Sequence, residues 1–211
     1  SIRGGRHTFE VGLDGGEDFA EGHEDDNNWS EQWVWSPLAL TAGTAVTRSS
    51  PPARIGGWDD MDPDDPQFYN CDGLRFTTSG WWNAVALRGL NDANDWDCRL
   101  HAASTGPSNG FATNVGWSSR AAGCLDAVLV NKNVAGNGTW DVGVVDFNTS
   151  AVSAQFAAVH VVSQVQTFGT EQAIALAQDE TIALREFNLL AGSVGWVEIV
   201  VTTDTPDTPI R

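Results

Sequence analysis

The sequence predicts an all-β protein, a jelly-roll-like β-sandwich with an N-terminal arm and additional C-terminal strands, and three observations predict it. Across residues 71–148, short segments of alternating character are cut by clusters of glycine, asparagine and serine, which is the pattern of strands joined by turns. The segment 154–162 sets Phe156, Ala158, His160 and Val162 against Gln155, Ala157, Val159 and Val161. With small or apolar residues on both sides, such a strand must be covered on both faces. Helix-forming composition is confined to residues 171–179, a short stretch among strand segments that reads as strand or turn.

Taken in order, residues 1–28 form an acidic arm with one short strand over 7–13, followed by an acidic stretch broken by Gly15, Gly16 and Gly22. The sandwich domain spans 29–165. It begins with an alternating strand at 29–35, with Trp29, Glu31, Trp33 and Trp35 on one face and Gln32 and Val34 on the other, stopped by Pro37. A short strand at 45–48 precedes a long loop marked by Pro51, Pro52, Gly56 and Gly57, which leads into Trp58 and the acidic run 59–65. Strands follow at 76–78, 84–88, 96–101, 125–131 and 140–147, separated by Ser79-Gly80, Asn91-Asp92 and the glycine-rich turns at 106–110 and 136–138. Residues 166–203 supply two more strands, 181–187 and 194–203, that complete or extend the sandwich, and 204–211, with Pro206 and Pro209, form an extended tail.

With 211 residues, 41% of them apolar, the chain can bury a real core. Its formal charge of −17, with Lys132 the single lysine, repels phosphate backbones and anionic lipid. Nucleic acid and membrane surfaces are therefore excluded as expected partners, while cations, sugars, matrix proteins and copies of the chain itself remain. No apolar run approaches the roughly 18 residues that a membrane-spanning helix needs. The start at Ser1, without a basic segment leading into an apolar one, reads as a processed piece whose secretion signal has been removed or lies elsewhere.

Candidate chemistry is sparse. Cys71, Cys98 and Cys124 lack zinc-ligand spacing; a Cys98–Cys124 disulfide with one leftover thiol is expected in an oxidising exterior, against the alternative of three buried free thiols. No cofactor is required, and calcium is the one candidate ion, because it takes hard oxygen ligands from flexible loops. Asp60, Asp62 and Asp64 open like a calcium loop, but Asp65 stands where the glycine should be and Cys71 where the closing glutamate should be. Asp14 with Glu17 and Asp18, and Asp92 with Asn94, Asp95 and Asp97, are further acidic clusters; each competes with a plain solvated loop. Residues 106–110 match Gly-x-Ser-x-Gly by letter, yet proline, asparagine and glycine make this a turn and not a nucleophile elbow. His7, His23, His101 and His160 are scattered, and each reads as a surface or satisfied strand residue.

Ten tryptophans beside one tyrosine are the unusual feature, since exposed indoles combine large apolar area with little rotamer freedom and suit stacking on sugars. Trp81 and Trp82 adjoin, so one must point away from the core; with Trp58 and Trp117, both in expected loops, they are the sugar or partner contacts. Trp33, Trp35, Trp96, Trp140 and Trp196 are assigned to the core. The competing assignment packs the loop tryptophans on the arm or on a neighbouring copy. Sequons at Asn28, Asn137 and Asn148 are candidate glycosylation sites.

From Asp72 to about Val162 the chain resembles the bacterial pre-peptidase C-terminal domain, a secreted β-sandwich module. The resemblance is carried by Asp72-Gly73-Leu74-Arg75-Phe76, by Asp95-Trp96-Asp97-Cys98-Arg99-Leu100-His101, by Asp126-Ala127-Val128-Leu129-Val130, and by Gly138-Thr139-Trp140-Asp141-Val142-Gly143-Val144. Cys98 departs from the family's aliphatic position, and Trp140 stands for its usual aromatic. The resemblance implies a non-catalytic role with polysaccharide or matrix binding at most. It also implies a calcium site in acidic residues before the sandwich, where Glu24, Asp25 and Asp26 are suitably placed. The expected function is a non-catalytic structural subunit of an extracellular or cell-surface fibre or layer, joined by addition of terminal strands. The alternative is a carbohydrate- or matrix-binding module of a larger secreted hydrolase.

Overall fold

The computed structural model describes residues 5–13, 28–49, 71–103, 114–135, 138–146, 155–174, 182–189, 192 and 198–201. Among them the chain is a β-sandwich. One sheet takes β1 (Gly5–Gly12), β2 (Asn28–Trp35), β5 (Cys71–Thr77), β7 (Trp96–Ala102), β8 (Asn114–Ser118) and β10 (Thr139–Asp146) in the order β2-β1-β5-β10-β7-β8, and β3 (Leu38–Ala39) joins it beside β5. The other takes β4 (Ala45–Ser49), β6 (Trp82–Gly89), β9 (Leu125–Asn131) and β11 (Gln155–Val162) in the order β4-β11-β6-β9. From β4 to β11 nearly every connection crosses between the sheets, as in a jelly roll. One turn of helix, α1 (Lys132–Ala135), follows β9, and β12 (Gln164–Val165) runs parallel to β13 (Arg185–Glu186).

Strand alternation decides what the two sheets hold between them. Leu74, Phe76, Leu100, Val142 and Val144 of the first sheet meet Val85, Leu87, Val128, Val130 and Phe156 of the second in one buried cluster. Aromatic contacts tie the layers: Trp96 on Phe156 with ring centres 4.7 Å apart, and Phe76 on His160 at 4.8 Å. An ion pair does the same, Arg48 reaching Asp72 at 3.2 Å. The register gives the second sheet's outward residues as Ala84 and Ala86 on β6 and Ala157 and Val159 on β11. All four are at most 1% exposed, so the two central strands are covered on both faces, as their sequence requires. The first sheet's outer face is also closed, over polar groups. There Asp97, His101 and Asp141 are buried, and Arg75 binds both oxygens of Asp141 at 2.6 and 2.8 Å. Hydrogen bonding to Asp141 outweighs burial and raises the Arg75 pKa.

Several expectations change. The strand expected within the acidic arm is β1, which pairs along its length with β2 and at Gly5 and Arg6 with β5, so the arm begins inside the main sheet. Residues 114–118, expected as loop, form β8, because β7 leaves an edge that they can pair with. The expected strand at 181–187 shrinks to Arg185–Glu186, since Gln164–Val165 is the only edge it meets among the described residues. Residues 198–201 of the expected strand at 194–203 carry no strand, and 171–174 are irregular. The Cys98–Cys124 disulfide is not formed. Cys98 is fully buried between the sheets on β7, whereas Cys124 is exposed in the loop leading to β9 of the opposite sheet.

Candidate functional site

The turn from β5 to β6, Thr78 to Trp81, closes one end of the sandwich and is unusually well fixed. Thr78 donates its N–H to Gly138 O at 2.9 Å, and its hydroxyl accepts the Gly138 N–H at 3.0 Å. Ser79 N–H is taken by Asn83 Oδ1 at 3.1 Å. Gly80 sits at φ +67°, and a Cβ there would stand 2.6 Å from Val162 Cγ1, so the position needs glycine for both conformation and space. The backbone beyond is clamped from two sides. Lys132 N–H donates to Trp81 O at 2.8 Å, Ser163 N–H to Trp82 O at 2.8 Å, and Trp82 N–H to Ser163 Oγ at 3.1 Å. Ser163 Oγ in turn hydrogen-bonds Glu186.

These bonds hold two indoles in solvent. Trp81 is 53% exposed and Trp82 40%, and Leu129, 51% exposed, lies on the same outer face of the second sheet one pair further along β9. Both residues of the pair therefore face out, where the sequence required only one to do so. Trp117 is more exposed still, but it does not join them. It sits on β8 opposite Arg99, on the outer face of the first sheet. Its neighbour Ser118 bonds Asp126, five residues down β9 from the Asn131 that pairs with Trp82, a separation of about 16 Å along the strand.

Beside the same turn lies a cleft of 370 Å³, lined by Leu40, Ala42, Phe76, Thr77, Ser79 and His160 among others. It opens where the chain changes sheets. Leu40 N–H bonds Arg75 O at 2.7 Å at the end of β3; Ala42 then bridges to His160 and Gly43 N–H bonds His160 O at 2.8 Å. The segment thus steps from β5 to β11 and leaves a gap over Phe76 and Thr77. His160, 2% exposed, is turned by Asn83, whose Oδ1 lies 3.1 Å from Nε2. Because that oxygen already accepts Ser79 N–H, Nε2 is the nitrogen that carries the proton, and Nδ1 keeps the lone pair. Burial lowers the His160 pKa, which favours the neutral ring. Among the described residues no serine or threonine hydroxyl bonds this imidazole.

His160 is the satisfied strand residue that the sequence allowed, whereas neither Asn83 nor the cleft stood out in the sequence. The available signal was a polar residue on the core side of each of two apolar strands, Asn83 in WNAVALRG and His160 in QFAAVHVV.

The remaining candidates fall elsewhere. Trp58, the acidic residues Asp14, Glu17, Asp18, Glu24, Asp25, Asp26, Asp60, Asp62 and Asp64, the Gly106–Gly110 turn and the sequons at Asn137 and Asn148 lie outside the described residues. Trp196 lies outside them too. Asn28 begins β2. Of the tryptophans assigned to the core, Trp96 is buried and Trp140 packs against the cluster, but Trp35, at the edge of the sheet, is 42% exposed. Among the described residues no three acidic, histidine or cysteine side chains gather as metal ligands. Asn91 to Asp95 instead forms a turn, with Asn91 Oδ1 accepting Ala93 N–H at 2.9 Å.

No protein-family model matches the chain, and no curated protein does. Among solved structures it is similar to the pre-peptidase C-terminal domain of a collagenase from Bacillus anthracis. That likeness has a TM-score of 0.36 at 11% identity and covers 59% of this chain and 94% of that domain. The all-β sandwich rests on the strand pairing itself and not on this likeness.

Proposed function

We propose that this chain is a non-catalytic, extracellular binding module that holds polysaccharide on the end of the sandwich formed by Trp81 and Trp82. The observation that carries the reading is the clamped pair of exposed indoles. The backbone that carries each is fixed by a hydrogen bond from a neighbouring segment, and an indole has little rotamer freedom of its own to lose when a sugar face stacks on it. An acidic field suits neutral polymers and not anionic ones. Retention on insoluble cellulose, chitin and xylan tests it. Trp81→Ala and Trp82→Ala should each weaken retention about tenfold, a loss near 1.4 kcal/mol. Trp117→Ala should leave it unchanged. Retention on none of the polymers, or an equal loss with Trp117→Ala, would overturn the reading.

A second reading, a subunit of a surface fibre or layer, rests on β2. This eight-residue strand pairs with β1 alone among the described residues and so offers an edge for strand addition. Electron microscopy of concentrated protein tests it: polymers are the expected outcome, and a compact monomer throughout would rule it out.

A further inference from the structure

We propose that the cleft between the 38–44 crossover and the β5–β6 turn is a second binding site, specific for one small neutral hydroxylated ring such as a terminal sugar unit. Its size comes first. At 370 Å³ it lies near the lower end of the volumes of small-molecule sites, room for one ring and not for a chain.

Its lining sets the chemistry. Thr77, Ser79 and Thr139 bring hydroxyls, which both donate and accept, those of Thr77 and Thr139 lying 3.4 Å apart, and the buried His160 borders the cleft. Phe76 supplies an apolar wall, with the imidazole tilted 43° against it. The backbone of Thr77 is presented on the same edge as Arg75 O, past the end of β3. Among the described lining residues the one charged side chain, Arg75, is held by both oxygens of Asp141. A charged ligand would therefore find no free counter-charge among the described lining groups, while a ring bearing hydroxyls would find donors and acceptors there.

Position links the cleft to the indoles. Ser79 lines it, and Trp81 stands two residues on in the same clamped turn. The choice of a sugar as ligand rests on the polysaccharide-binding reading, and the two sites report on it separately: the indoles on polymer, the cleft on a single unit.

The test is a titration of the full isotope-labelled chain with glucose, galactose, mannose, N-acetylglucosamine and glycerol, each alone, with acetate and methylammonium as charged controls, followed by amide resonances. At least one of the four sugars should shift Ala42, Thr77 and Ser79 saturably, with a Kd on the order of 1 mM, and more strongly than glycerol, which has no ring. Ala42→Phe and Ala39→Phe add bulk at two exposed lining positions, so the fold should survive, and each should weaken that binding tenfold or more. Trp82→Ala should leave it within about twofold of the parent. The proposal is overturned if no sugar shifts these amides more strongly than glycerol, if the charged controls shift them equally, or if both filled variants bind like the parent. Polymer retention that persists without monosaccharide shifts defeats the cleft alone. Monosaccharide shifts without polymer retention defeat the indole platform alone.

Discussion

His160 sits on the core side of β11 with its Nε2 proton committed to Asn83 and its ring against Phe76, so a second proton would place a charge inside the sandwich. The sign of the pH effect follows. Burial holds the folded pKa below the ordinary 6.5, so as pH falls through that value the unfolded chain takes up a proton that the folded chain refuses. The contribution of His160 to stability is complete above pH 6.5 and is lost as pH falls toward the folded value. Urea unfolding between about pH 5 and 7 should show the native chain losing stability faster than His160→Gln, with the gap closing toward acid. Parallel curves for the two proteins would contradict this. Neither Asn83 nor His160 could be matched from sequence, because 77 residues separate partners that only the β6–β11 pairing brings together.

At the scale of elements, the β5–β6 turn depends on Gly80. Alanine there must adopt a left-handed conformation and push its Cβ toward Val162 on β11. The conformation alone costs about 1–2 kcal/mol, and the contact adds to it unless the turn moves. Gly80→Ala should therefore lower the denaturant midpoint and weaken polymer retention together, since moving the turn moves both indoles. A variant of full stability and full retention would show that the turn is not held as described. The central strands were legible because alternation and turn residues mark each one locally; the strand at 125–131 has the expected bounds. β8 was not, because Asn114–Ser118 is short and has a glycine at its centre, which weakens a strand signal, and its two apolar side chains, Val115 and Trp117, both face solvent, so it becomes a strand only beside β7.

For the whole molecule, the layering separates the two described thiols. Cys98 is sealed between the sheets, and its pKa is pushed far up, first by burial and then by Asp126 and Asp97. Cys124 is exposed. Alkylation of the native protein with iodoacetamide at pH 8, read by peptide mass, should modify Cys124 and spare Cys98 until denaturant is added. A Cys98–Cys124 linked peptide in a non-reduced digest would reverse the assignment. The same layering explains why an acidic protein can close polar groups under one sheet: Asp141 carries its charge inside because Arg75 lies on the adjacent strand, opposite it in register.

By itself the sequence determined the fold class and most of the strands, because period-two alternation and turn chemistry act between near neighbours in the chain. It also marked Trp81 and Trp82, since adjacent indoles in a strand cannot both enter one core. Only the tertiary structure decided that both face solvent, that Trp117 lies apart from them, that Cys98 and Cys124 stay unpaired, and that a cleft opens beside His160. Each of these depends on which strands share a sheet and where the chain crosses between layers, and that is settled by contacts between residues far apart in the chain.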